Sequence, residues 1–136
     1  MDTADNSPRM RALRMLLVLD ATVLFLLGAL CIFLPRQVEA AFHFQNLPEG
    51  VSYLIGLWGC VFATLAIGYA VAATDPIRHA VWVQVAIARG ALEVILGAVY
   101  VARDIVTWQQ AQFGILTAAF ITVAYLVLYP RKTRPA

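Results

Sequence analysis

Charged residues are scarce in this sequence. Asp, Glu, Lys and Arg make up 13% of its 136 residues, whereas a typical soluble domain carries roughly 25%. The chain also lacks a basic stripe interleaved with aromatic residues, which argues against a nucleic-acid partner. Hydrophobic residues make up 62% of the chain. This composition indicates a single integral membrane domain spanning residues 1–136, with the lipid bilayer as its first partner.

Cysteine is almost absent, and the familiar catalytic motifs are missing. Cys31 and Cys60 are the only two cysteines. They form no C-x-x-C pair and no zinc-ligand spacing, and as small hydrophobes inside apolar runs we expect both to be buried. The sequence contains no G-x-S-x-G, no P-loop and no H-E-x-x-H motif. We therefore expect no catalytic residues, metal or cofactor, although a membrane enzyme is not excluded by missing motifs.

The two histidines are too far apart to bind one haem. His43 lies in the loop after the first apolar run, and His79 lies near the start of the third. If each run crosses the bilayer, the two side chains are separated by about one membrane thickness, roughly 30 Å. A bis-histidine haem within one subunit is therefore not expected.

Four long apolar runs account for most of the chain. Each is close to the ~20 residues that a helix needs to cross the hydrocarbon core, and none shows the two-residue alternation of a strand. Only helices or closed barrels satisfy the backbone in lipid. We predict an all-α, integral membrane four-helix bundle with spans at about 13–34, 51–73, 78–102 and 111–129.

The basic residues predict a direction for these spans. An even number of spans places both termini on one side, and seven basic residues fall on that side: Arg9, Arg11, Arg14, Arg78, Arg131, Lys132 and Arg134. The other side has only Arg36 and Arg103. By the positive-inside rule, the tails 1–12 and 130–136 are cytoplasmic, and we expect a bacterial inner membrane protein. The first run is too long for a signal peptide and contains Asp20, so we expect it to be retained.

The segment 35–50 forms a longer outer loop than a helix hairpin requires. Pro35 could begin a short helix with Val38, Ala41 and Phe42 on one side, lying at the membrane interface over the mouth of the bundle. The alternative is an irregular loop tethered by its aromatic residues. The sequence favours neither.

Small residues recur every fourth position in the second span and predict a packing face. The stripe comprises Gly56, Cys60, Thr64, Gly68 and Ala72. Such a face allows another helix to approach closely. We expect it to pack within the chain, and contact with a second copy or a larger membrane complex is the alternative.

Three charged residues lie inside the spans. Arg89 and Glu93 are four residues apart and therefore share a helix face. Counted from the cytoplasmic end, Asp20 lies ~10 Å deep and Arg89 ~16 Å deep, a difference that an arginine side chain covers. Because charges facing lipid are costly, we predict an inward Asp20–Arg89–Glu93 cluster between the first and third spans. Further cavity-lining hydrogen-bond partners are expected from Thr64, Tyr69, Gln84 and Tyr100.

Two functions are compatible with this cluster. In the first, it fixes helix packing in a protein with a structural or accessory role. In the second, it is the polar site of a cavity that binds or carries a small lipophilic molecule such as a lipid, a quinone or a drug-like compound. One arginine against two acids leaves a formal charge of −1, so either one acid is protonated or a cation is bound.

The pattern resembles the small DoxX-like and BphX-like four-helix membrane proteins over most of residues 13–130. The residues that carry the resemblance are Pro35, Gly59 or Gly68, Tyr69, Ala73, Asp75, Pro76 and Arg89. It implies a four-helix fold and an accessory role beside redox or catabolic enzymes. Members often carry an acid in the last span, where this sequence has only Thr117 and Thr122.

A second resemblance is to the small multidrug-resistance exporters, which also have four short spans and an acid in the first. The sequence around Asp20, MLLVLDATVLFLLG, lacks the aromatic and glycine–threonine context of that family. Arg89 would also neutralise the acid. We therefore favour the DoxX-like resemblance.

Overall fold

The computed structural model describes residues 7–44 and 46–129. Within these ranges all the regular secondary structure is helical, and there is no strand. The helices, in chain order, are α1 (Pro8–Phe33), α2 (Pro35–Ala41), α3 (Glu49–Thr74), α4 (Ala80–Ala102) and α5 (Trp108–Leu128). Four of them, all but α2, are long and apolar enough to cross a membrane. The predicted helical class and its four long apolar helices are confirmed.

The helices α1 and α5 begin well before their predicted spans, and in both a polar side chain caps the N-terminus. The Ser7 side chain accepts a hydrogen bond from the Met10 N–H at 3.2 Å, and Pro8 opens α1 where no intrahelical N–H bond is needed. Residues 8–12, predicted as a tail, are therefore helical. Thr107 and Gln110 form a capping box that starts α5 at Trp108. The remaining predicted tail segments, 1–6 and 130–136, lie outside the described residues.

The segment after α1 adopts the helical one of its two predicted forms. Leu34 interrupts α1, and Pro35 begins α2 directly afterwards. The Ser52 hydroxyl donates to the Glu39 carboxylate at 2.9 Å, which ties α2 to the first turn of α3. The Phe42 ring meets the Phe113 ring of α5 edge-on, with centroids 6.4 Å apart. Side-chain contacts therefore hold α2 across one end of the bundle.

The two ends of the bundle are distinguishable by their contacts. The Arg9 guanidinium donates to the backbone carbonyls of Val127 and Tyr129, at 2.6 and 3.1 Å, so α1 starts where α5 ends. We name this the terminal end. At the other, the loop end, the Gln110 amide donates to the His43 carbonyl at 3.3 Å. Which end faces the cytoplasm stays a prediction.

The four long helices associate as two close pairs, α1 with α3 and α4 with α5. A Cβ atom on Gly28 would lie 2.8 Å from the Gly59 carbonyl oxygen, and one on Gly59 would lie 2.7 Å from the Gly28 carbonyl oxygen. The backbones of α1 and α3 are therefore in contact, as glycine alone permits. In the second pair, Gly90 lies against Thr122 and Gly97 against Ile115.

The predicted small-residue stripe does not form this contact. A Cβ atom on Gly56 would meet nothing within 4 Å, and Cys60 and Thr64 are exposed. The prediction that these three pack within the chain is therefore wrong, as is the expected burial of Cys60. A spacing of four residues identifies a helix face, but it does not identify the face that a neighbour covers. Gly68 does pack, against the Trp82 ring of α4.

The stripe's alternative role, contact with a second copy or a larger complex, stays a prediction. Gly56, Cys60 and Thr64 lie on a part of α3 that leaves them open to such a contact.

The buried core lies in the half of the bundle next to the terminal end. Its largest fully buried side chains come from four helices and include Leu13, Leu17, Tyr69, Val83 and Tyr125. Large apolar side chains elsewhere are exposed around the outside of the helices, as expected for surfaces in contact with lipid. In the half next to the loop end, α3 and α4 separate and a cleft opens between them.

Candidate functional site

Asp20 is a buried carboxylate on the inward face of α1. Leu13, Leu17 and Leu24 share that face and are themselves buried, since residues three, four and seven apart lie on one side of a helix. Asp20 is 3% exposed. The Arg89 Nη2 atom lies 3.3 Å from its Oδ1, and the Tyr125 hydroxyl donates to its Oδ2 at 3.1 Å. These two partners offset the free-energy cost of burying the Asp20 carboxylate, which would be large if the carboxylate were buried without them.

Arg89 connects the two acids. Its Nε atom lies 3.5 Å from Oε1 of Glu93, one turn further along α4. Its guanidinium carbon lies 5.5 Å from the centroid of the Tyr69 ring, a cation–π distance. The structure therefore brings together the three residues that spacing and depth grouped in the sequence.

The two acids occupy different surroundings. The Asp20 side chain is 2% exposed, whereas the Glu93 side chain is 45% exposed and lines the cleft. The Arg89 Nε and Nη1 atoms are buried, and Nη2 is directed at Asp20. The polar group that the cluster presents to the cleft is therefore the Glu93 carboxylate.

The cleft has a volume of about 700 Å³ and lies between α3 and the α4–α5 pair. Its walls are apolar and rich in aromatic residues: Phe44, Trp58, Phe62, Leu65, Tyr100 and Ile115. Among the described residues that line it, Arg89 and Glu93 alone are charged, and they lie at its inner end, towards the middle of α4. The opposite end lies beneath Phe44 and Gln110 at the loop end. The cleft is therefore charged only at its inner end and mainly apolar elsewhere.

The four residues expected to line the cavity are placed differently. Tyr100 lines the cleft. Thr64 is exposed and donates to the Cys60 carbonyl of its own helix at 2.8 Å. The Gln84 amide donates to the Tyr129 hydroxyl at 2.7 Å, at the terminal end. The expectation is therefore wrong for Thr64 and Gln84. Both lie in the predicted spans, but neither lines the cleft.

Tyr69 lies behind Arg89, outside the cleft. It is fully buried, and its ring meets the Trp82 ring edge-on at a centroid distance of 6.2 Å. Its hydroxyl has no hydrogen-bond partner in the described part of the chain. Its contact with Arg89 is through the ring face rather than through the hydroxyl that the sequence suggested.

Sequence reasoning missed Tyr125, the second partner of Asp20. The sequence carried a partial signal: Ala118, Thr122 and Tyr125 follow at intervals of four and three residues and so share one face of α5, which the structure shows to be buried. Tyrosine carries a polar group that needs a partner when it is buried. A buried acid on a facing helix supplies one.

No metal centre is found among the described residues, where no three His, Cys, Asp or Glu side chains lie close enough to share an ion. His43 lies in the turn after α2 and His79 precedes α4, at opposite ends of the bundle. Cys31 is buried, Cys60 is exposed, and both are free thiols.

Comparison with known proteins identifies no relative. No family model matches the chain, and no curated protein or solved structure matches it. The DoxX-like resemblance therefore stays a prediction, and the function has to be argued from the cleft and the ion cluster.

Proposed function

We propose that this small multi-pass membrane protein binds a lipophilic molecule in the cleft between α3 and the α4–α5 pair. The observation that carries the proposal is an apolar cleft of about 700 Å³ with charged groups confined to its inner end. Small-molecule sites typically measure about 300–1,000 Å³ and combine apolar walls with a few polar groups. The molecule's apolar body would lie along the aromatic walls, with its polar head beside Glu93.

The charged end of the cleft is what would distinguish this ligand from ordinary lipid. Lipid tails are as apolar as the walls, so apolar contact by itself favours no ligand over the bilayer. The Glu93 side chain is 45% exposed beside those walls, and its one ion-pair partner, Arg89, is shared with Asp20. An ionised group within a membrane is expensive unless it is fully paired or hydrated. A ligand with a complementary polar head would satisfy it.

A structural role for the other side of the cluster is favoured by its geometry. Asp20, Arg89 and Tyr125 come from α1, α4 and α5, and their contacts join the two helix pairs. Asp20 alone balances the charge of Arg89, so this role does not require Glu93. A structural or accessory role is therefore the second candidate function.

We retain the cytoplasmic placement of both termini and the bacterial inner membrane as part of the proposal, on the distribution of basic residues.

The cleft can be tested by filling it. Gly114 lines the cleft, and a Cβ atom there would meet nothing within 4 Å. Gly114→Leu should therefore occupy cleft volume without disturbing its neighbours. Gly56→Leu is a matched control, because a Cβ atom at Gly56 also meets nothing within 4 Å but the residue does not line the cleft.

Native mass spectrometry of the protein extracted in mild detergent supplies the measurement. We expect the wild-type protein and Gly56→Leu to retain a co-purified lipophilic molecule, and Gly114→Leu to lose it. If all three proteins carry the same adducts, or none carries any, the cleft is not a binding site.

A further inference from the structure

The charges at the cleft do not balance. Residues 15–34, 51–73, 80–102 and 108–128 contain three charged side chains: Asp20, Arg89 and Glu93. Asp20 and Arg89 form a buried pair at 3.3 Å, so the surplus negative charge belongs to the acid that faces the cleft. We infer that the head of the bound molecule is a cation, as in a lipophilic amine, quaternary ammonium or phosphonium compound. This inference rests on the proposed function and adds the charge of its ligand.

An anionic head is disfavoured by the orientation of Arg89. Its Nη2 is directed at Asp20. Its Nε and Nη1 have no hydrogen-bond partner in the described residues, but both atoms are buried. The exposed charged group that an anion entering the cleft would meet is therefore the Glu93 carboxylate. Like charges in contact inside a low-dielectric site repel strongly.

The walls of the cleft also suit a cation. Trp58, Phe62, Tyr100 and Phe44 all line it, and a cation is attracted to the face of an aromatic ring within about 6 Å of its centroid. The other side of the same cluster uses this chemistry, since the Arg89 guanidinium lies over the Tyr69 ring. An apolar cation can therefore pair with Glu93 and remain in contact with the walls.

The probes are two rigid ions of nearly equal size and opposite charge, tetraphenylphosphonium and tetraphenylborate. Binding is measured to the full chain in nanodiscs of phosphatidylcholine, whose zwitterionic headgroups add no net charge. We expect the wild-type protein to bind the phosphonium more tightly than the borate. We expect Glu93→Gln to weaken phosphonium binding by about tenfold or more, since a close charge pair in this environment is worth at least that much.

Three further variants locate the effect. Glu93→Asp keeps the charge and should keep most of the preference for the phosphonium. Gly114→Leu should abolish phosphonium binding, and Gly56→Leu should leave it unchanged. Circular dichroism and thermal unfolding establish that each variant is folded, and a half-exposed Glu93 makes the glutamine variant a mild change.

The outcomes separate this inference from the proposed function. Equal affinity for both ions, or phosphonium binding unaffected by Glu93→Gln, overturns the cationic head while leaving a lipophile-binding cleft intact. So does a neutral or anionic molecule found in the wild-type protein and lost in Gly114→Leu. If Gly114→Leu changes neither probe binding nor the co-purified molecules, the cleft itself is not a site and both proposals fail.

Discussion

The two halves of the bundle are built from the same four long helices, yet they differ in packing. Next to the terminal end, Leu17, Tyr69, Val83 and Tyr125 are fully buried. Next to the loop end, α3 and α4 separate, and Trp58 stays 65% exposed beside the cleft. Hydrophobicity does not explain the difference, because all four helices are strongly apolar. In a membrane, packing follows from close backbone approach and polar contacts between helices.

Each helix pair is close-packed within itself, and the polar contacts that join the pairs lie mainly in one half. Glycines allow close approach within the pairs, at Gly28 with Gly59 and at Gly90 with Thr122. Between the pairs, the Asp20–Arg89 ion pair lies near the middle of the bundle. The Tyr69–Trp82 ring contact and the hydrogen bonds from Arg9 to α5 lie towards the terminal end. The separation of α3 and α4 at the loop end then leaves room for a ligand. One cluster can therefore form a packing contact on one side and face an open cleft on the other.

Removal of the buried acid Asp20 should have the largest effect on stability. Asp20→Ala leaves the Arg89 guanidinium buried without its counter-charge, and losing one partner of a buried pair costs about 3–5 kcal/mol. We expect a correspondingly large loss of stability against SDS or heat in detergent. The double variant Asp20→Leu with Arg89→Met should be much less destabilised, because it removes both charges. If it unfolds as readily as Asp20→Ala, the Asp20–Arg89 ion pair is not what links the two helix pairs.

Overpacking the glycine contact should have the next largest effect. Gly28→Ala places a Cβ atom 2.8 Å from the Gly59 carbonyl oxygen, a backbone atom that cannot move aside cheaply. We expect about 1–3 kcal/mol of destabilisation, measured by the same unfolding assay. Gly56→Ala, where the added atom meets nothing within 4 Å, is the control and should not be destabilised. Equal effects at the two positions would contradict the close approach of α1 and α3.

Removing the second partner of Asp20, the Tyr125 hydroxyl, should cost less stability. Tyr125→Phe keeps the ring in place and deletes the hydroxyl that donates to Asp20 at 3.1 Å. Hydrogen bonds between membrane helices are worth about 1–2 kcal/mol at most, so we expect a loss in that range. Thr117→Val, on the same helix, removes a hydroxyl that makes no interhelical bond in the described residues and is the reference. No difference between the two variants would show that Tyr125 contributes no polar contact.

The smallest stability effect is expected on the cleft side of the cluster. The Glu93 side chain is 45% exposed, and substitutions at such positions usually change stability by about 0.5 kcal/mol or less. Glu93→Gln should therefore leave unfolding nearly unchanged although it neutralises a charge only 3.5 Å from Arg89. A loss as large as that of Asp20→Ala would mean that both acids serve packing, and the functional division between them would fail.

The parts of the fold and of the ion cluster that depend on local spacing along one helix could be predicted from the sequence. The i, i+4 spacing of Arg89 and Glu93 and the depth of Asp20 were enough to group the three charges, because helix geometry determines both quantities. Tyr125 was missed because its partner lies 105 positions away in the chain, and one sequence does not indicate which face of α5 meets α1. The prediction that Gly56 and Cys60 pack within the chain was wrong for the same reason. Their spacing defines a helix face, but it does not show which helix, if any, covers that face.

The sequence by itself determined that the chain is helical, that it has four long apolar helices, and that its few internal charges have reason to face one another. These properties follow from residue type and local spacing. Lipid allows only helices or closed barrels, and long apolar runs without two-residue alternation are helices. Only the tertiary structure decided that α1 pairs with α3 and α4 with α5, that Asp20 is buried while Glu93 faces a cleft, and that the cleft lies at the loop end. Those properties depend on the rotation and tilt of each helix, which arise from contacts between residues far apart in the chain.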